Sequence, residues 1–149
     1  MPRRLSVDAN TEPMLHIFAD LAVRDCCIER IRISEESVLA FAALSGDRAP
    51  VHFDEVHARE MGYSGRIVHG LLTTMEFSRL LGMFMPGPYS VIHSIKFDYR
   101  NPVTIGSELE YIVTVSRLSE ATRLVLLELE VTGDSGICIK GVGQCIMTK

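Results

Sequence analysis

Apolar positions in this chain recur first at helical spacing and later at strand spacing, with one strand ahead of both. Cys26 to Ile33 reads as that first strand. Ser34 then offers an N-cap, with Glu35 and Glu36 in the first turn, where the helix dipole favours anions. Val38, Phe41, Ala42 and Leu44 give the helix an apolar side, and Gly46 breaks it. Asp54 can cap a second, short helix ending near Gly62. A third helix, from about His69 to Leu81, carries Leu71, Leu72, Met75, Leu80 and Leu81 and is expected to be mostly buried. After Met83-Phe84-Met85-Pro86-Gly87-Pro88 the period drops to two. Val91, His93, Ile95, Phe97 and Tyr99 alternate with polar residues; Leu109 to Val115 and Val125 to Val131 repeat the pattern. A turn at Gly133-Asp134-Ser135-Gly136 leads to a last strand near Ile137–Met147. One strand, then helices, then four strands on short turns predicts an α+β fold with a largely antiparallel sheet. Residues 1–13 mix Pro, Asn, Asp and Thr and are expected to be loosely held, leaving 14–149 as a single domain.

Composition narrows the function classes. The length of 149 residues, 47% hydrophobic and 23% charged, suits one domain burying about 68–70% of its unfolded surface. The net charge is −4 with no basic stripe, which argues against a nucleic-acid partner. No apolar run reaches ~18 residues, so no membrane span is expected. Met1-Pro2-Arg3-Arg4 is followed by Asp8, Asn10 and Glu12 rather than an apolar core, which argues against a signal peptide. Cys26 and Cys27 are adjacent and point to opposite faces of a strand. Cys138 and Cys145 are an odd number apart and are expected to face apart as well. Reduced cysteines in a cytoplasmic protein are therefore expected.

The segment Phe41-Ala42-Ala43-Leu44-Ser45-Gly46-Asp47-Arg48-Ala49-Pro50-Val51-His52 sets a carboxylate and an imidazole five residues apart on a loop stiffened by proline. Such a pair suits acid–base work if both groups reach the same water or substrate atom. A later stretch, Ile67-Val68-His69-Gly70, opens the apolar helix. Glycine there leaves the helix N-terminal amides approachable.

These two motifs together resemble the MaoC-like, (R)-specific enoyl-CoA hydratase family of hot-dog proteins. Its motif is Gly-Asp-x-Asn-Pro-aliphatic-His, and the one departure here is Ala49 in place of the usual Asn. The resemblance implies a curved sheet around one long helix, and reversible hydration of trans-2-enoyl thioesters to (R)-3-hydroxyacyl thioesters. The carrier would be coenzyme A or an acyl carrier protein. It also implies that Asp47 and His52 grip the water and that the Gly70 amide stabilises the thioester oxyanion, with no metal or redox cofactor. A homodimer is expected, with sheets paired edge to edge and sites at the interface. Pro50, Val68, His69 and Ser78 are expected at the substrate, Ser78 matching a serine near the carboxylate in some relatives. Met83, Phe84 and Met85 are read as lining an acyl tunnel. Two other readings stand beside this one: a hot-dog thioesterase using Glu76, and a catalytically weak acyl-binding or partner-binding subunit. A metal site from His57, His69, Asp47 and His52 is disfavoured, because no tight spacing such as His-x-x-x-His is present.

Overall fold

The computed structural model describes residues 1–149. Its elements in chain order are β1 (Arg4–Val7), β2 (Cys26–Arg32), α1 (Glu35–Ser45), α2 (Pro50–Phe53), α3 (Glu55–Glu60) and α4 (Gly70–Met83). Then follow β3 (Ser90–Tyr99), β4 (Glu108–Ser119), β5 (Leu124–Gly133) and β6 (Gly136–Met147). The caps work as their chemistry predicts. Ser34 Oγ accepts the Ser37 amide proton at 3.3 Å, and Gly46 closes α1 in the left-handed region at φ 77°. Asp54 accepts from the Val56 and His57 amides at 2.9 and 3.0 Å, starting α3.

The strands form one sheet in the order β1-β2-β4-β5-β6-β3, antiparallel except for the β1–β2 pair. Alternation sets which residues face inward: Leu109, Tyr111, Val113 and Val115 of β4 and Val125, Leu127, Leu129 and Val131 of β5 are buried. Helix α4 lies against this concave face. Phe77 sits between Phe97 and Tyr111, at ring-centroid distances of 5.4 and 5.5 Å, and Leu80 and Leu81 are wholly buried beside it. Each such side chain contributes about 1.5–3 kcal/mol of burial. A curved sheet wrapped round a long helix is the hot-dog arrangement. No helix is long and apolar enough to cross a membrane.

Four expectations need correction. Residues 1–13 are not all loose: β1 pairs in parallel with β2, with Arg4 opposite Cys26. The buried Asp25 carboxylate fastens the strand by accepting from the Arg3 amide at 2.7 Å and the Arg3 guanidinium at 3.0 Å. Helix α4 is not mostly buried: Leu71 is 68% exposed and Met75 49%, on the side turned away from the sheet. An unpredicted short helix, α2, contains His52. Finally, Cys138 and Cys145 do not face apart but are both buried, because the β5–β6 register slips between Val131 and Thr132 and carries Cys138 inward. All four cysteines are free.

Candidate active site

The turn after α1 is built by its own polar groups. Ser45 Oγ accepts the Asp47 amide proton at 3.1 Å, and Asp47 Oδ1 accepts the Ala49 amide proton at 3.0 Å. The second bond makes an Asx-type turn. Pro50 then occupies the first position of α2, where its missing N–H costs nothing. The His52 amide donates to Ala49 O at 3.0 Å, so the side chain at 52 turns inward while Asp47 and Pro50 stay exposed. His52 is therefore in a helix and only 8% exposed, rather than on a loop.

Two backbone carbonyls fix the two imidazoles. His52 Nδ1 donates to Ile67 O at 2.7 Å, which leaves Nε2 free to accept a proton. His69 Nε2 donates to Asp47 O at 3.0 Å, tying the start of α4 to the Asp47 turn. The His69 ring stacks on His52 at a centroid distance of 3.8 Å and is walled by Phe41 at 4.9 Å. With 2% exposure it stands behind His52 as a support, not at the substrate as the sequence predicts. Its Nδ1 is buried without a protein partner. Donor atoms of Asp47, His52 and His69 lie within 4.8 Å of one another. These are the residues that could hold a cation; His57, considered with them from sequence, is not among them.

A cavity of about 310 Å³ opens against this cluster, with His52, Val68, Gly70, Thr73 and Tyr99 in its wall. Gly70 is the first residue of α4, where helix amides lack intrahelical acceptors and carry partial positive charge. A Cβ at this position would fall 2.9 Å from Tyr99 Cε1, so glycine is what lets the tyrosine and the backbone approach. Tyr99 OH meets Thr74 Oγ1 at 3.2 Å. Polar groups convergent on a small concave site beside a free imidazole nitrogen and a helix N-terminus can activate water and stabilise an oxyanion.

The other expected site residues fall elsewhere. Ser78 is exposed on α4, two turns beyond Gly70, and within one chain it does not meet Asp47 or His52. Phe84 is wholly buried at the far end of α4 with the Arg79 guanidinium 5.4 Å over its ring; with Met85 it is core, not tunnel wall. Glu76 pairs with Arg79, which also holds the buried Glu29. It borders a second, apolar cavity of about 300 Å³ between α1 and α4, lined also by Leu72 and Met75. Burial and the Glu76 charge push the Glu29 carboxyl up to about 7, against the pull of Arg79. The sequence reading passes over Thr73, Tyr99 and Arg100, all in the wall of the His52 cavity. The only cue was a polar cluster, Arg100-Asn101, ahead of Pro102 at a strand end.

Comparison with known proteins agrees with this geometry. Residues 27–134 match the profile described as "MaoC like domain". The chain is 40% identical over 101 residues to a 3-hydroxybutyryl-CoA dehydratase of Methylorubrum extorquens, covering 68% of this chain and 64% of that protein. It thus spans less than two thirds of that relative's length. It is 30% identical to an (R)-specific enoyl-CoA hydratase of Rhodospirillum rubrum, over 86% of this chain and 89% of that one. Among solved structures, an (R)-hydratase from A. caviae involved in PHA biosynthesis superposes with a TM-score of 0.81 at 30% identity. That match covers 85% of this chain and 97% of the other.

Proposed function

Because this chain belongs to the MaoC-like domain family, we propose that it is a hydro-lyase that adds water reversibly across a trans-2-enoyl thioester, giving the (R)-3-hydroxyacyl form. The observation that supports this reading is that Asp47 comes within 4.8 Å of His52, which lines the same cavity as Gly70. Water held between the Asp47 carboxylate and His52 Nε2 bonds through oxygen to C3. The pair takes one proton from that water and one proton is delivered to C2, so the product gains the elements of water and no electrons are exchanged. Negative charge builds on the thioester oxygen, and in this reading the Gly70 amide at the start of α4 holds it. His69 keeps the pair in register by stacking on one partner and bonding to the backbone of the other.

The acyl carrier is coenzyme A, as for the Methylorubrum extorquens dehydratase, or an acyl carrier protein, as for a mitochondrial 3-hydroxyacyl-[acyl-carrier-protein] dehydratase of Arabidopsis thaliana that is 38% identical over 67% of this chain and 59% of its own length. We read the working form as a homodimer. The exposed Leu71 and Met75 and the open edge of β3 support this, and a second copy across that face would also bring chain to Ser78. Incubation with crotonyl-CoA tests the reading. Loss of the conjugated enone without free thiol is the expected result. Release of free thiol would move the assignment to a thioesterase, and no turnover would leave a binding role.

A further inference from the structure

The wall of the His52 cavity contains one cation, Arg100, and no carboxylate. Arg100 differs in its surroundings from Arg66 and Arg59. Arg66 is held by Glu35 at 2.7 Å and Arg59 by Glu55 at 2.9 Å, whereas Arg100 enters no ion pair. Its backbone is nevertheless firmly placed. The amides of Arg100 and Asn101 both donate to Cys138 O, at 2.8 and 3.2 Å, and Asn101 Nδ2 donates to Ile137 O at 2.7 Å. On the other side the Val68 amide donates to Val103 O at 2.7 Å. The segment 100–103 is thus fastened both to β6 and to the approach to Gly70. The backbone that carries Arg100, whose exposed side chain has no counter-ion, is therefore held at a fixed offset from Gly70.

A cavity of about 310 Å³ is at the small end for ligand sites. It suits an acyl thioester, and the arm carrying that thioester must leave through the mouth. Both carrier classes present the acyl group on a phosphorylated pantetheine arm. We propose, resting on the hydratase reading, that Arg100 binds a phosphate of that arm and so selects phosphorylated thioesters. The planar fork of Arg matches phosphate oxygens bidentately, and the rings of Tyr99 and Tyr63 line the same cavity. The alternative is that Arg100 is only a charge that protects the end of an edge strand.

The test uses four crotonyl thioesters: of coenzyme A, of dephospho-coenzyme A without the 3′-phosphate, of 4′-phosphopantetheine, and of pantetheine. The wild-type protein is expected to prefer phosphorylated over bare arms by about 10- to 100-fold in kcat/KM, the worth of a charge-assisted contact. Arg100→Gln should erase that preference, and Arg100→Lys should restore part of it. If the preference is already gone in dephospho-coenzyme A, the contact is to the 3′-phosphate; if it survives in phosphopantetheine, it is to the phosphate shared with a carrier protein. An Arg100→Gln penalty equal on all four esters, or absent from all, overturns the proposal. Should the wild type hydrate none of them, the hydratase reading fails on its own account. Calorimetric binding of coenzyme A then decides Arg100: tenfold weaker binding in Arg100→Gln supports it, and equal or absent binding sinks it.

Discussion

Replacing Gly70 by alanine separates the oxyanion role of the α4 terminus from its role in packing. The added Cβ would lie 2.9 Å from Tyr99 Cε1 and 3.4 Å from Cδ1 and Cζ, inside ordinary carbon–carbon contact of about 3.5–4.0 Å. Tyr99 is 50% exposed and free to swing out, at the expense of its hydroxyl contact with Thr74 at 3.2 Å. That loss is worth about 0.5–1.5 kcal/mol net. Alanine returns up to about 1 kcal/mol of helix propensity. The two nearly cancel, so Tm should move by no more than about 4 °C. Activity should not be spared. A donor must stand about 2.7–3.1 Å from the oxyanion, and losing one costs about 10²–10³ in rate. The methyl group enters the cavity wall between Gly70 and Tyr99, so on the proposed mechanism a fall of roughly 10²-fold in kcat is expected on crotonyl-CoA. Adding Tyr99→Ala removes the clash without removing the methyl, and should not restore the rate. A Gly70→Ala protein that folds normally and turns over at near wild-type speed would refute the assignment of that amide.

Three further outcomes follow from the geometry. Asp47→Asn and His52→Ala should each lower the hydration rate by about 10²–10⁴. Asn can still accept the Ala49 amide, so only the buried His52 change should also lower the urea midpoint. For Glu29, with its carboxyl raised to about 7 from 4.5, the folded state binds the proton more tightly than the unfolded state. The stability tied to that proton is complete below 4.5 and is lost as pH rises through 7. The advantage of Glu29→Gln over wild type in urea unfolding should therefore grow between those values, by up to a few kcal/mol; a difference flat with pH would contradict the cluster as described. Light scattering at micromolar concentration should give a dimer for the wild type and a monomer for Leu71→Glu with Met75→Glu; a wild-type monomer would rule out the homodimer.

The parts of the fold governed by neighbouring residues were legible in the sequence. Ser34, Gly46 and Asp54 act as caps because capping chemistry is local, and the alternation in β4 and β5 follows from one buried sheet face. Asp47, His52 and Gly70 could be named as candidates because their spacing matched a family motif, and the fold brings Asp47 near His52 and sets His52 and Gly70 in one cavity wall. What escaped depends on distant partners. Strand β1 has only four residues, and its anchor is Asp25, far along the chain. Helix α2 is short, although Pro50 was a visible start signal. Periodicity gave the turn of α4 without its phase against the sheet, so Leu71 and Met75 were expected inside and Phe84 at a ligand. His69 looked like a substrate contact because sequence cannot tell a ring that faces the cavity from one that stacks behind its neighbour. Tyr99 and Arg100 reach the site only because β3 crosses to the far edge of the sheet.

Position 49 has an unusual freedom in this scaffold. Its amide donates to Asp47 and its carbonyl accepts from His52, while its side chain carries none of the bonds that shape the turn. The frame is written in main-chain atoms, so asparagine, alanine or another small residue can occupy the position without rebuilding it. Evolution can therefore vary the group beside the carboxylate while the placing of Asp47 and His52 is inherited intact, and a protein engineer can explore the same position by saturation mutagenesis with little risk to folding.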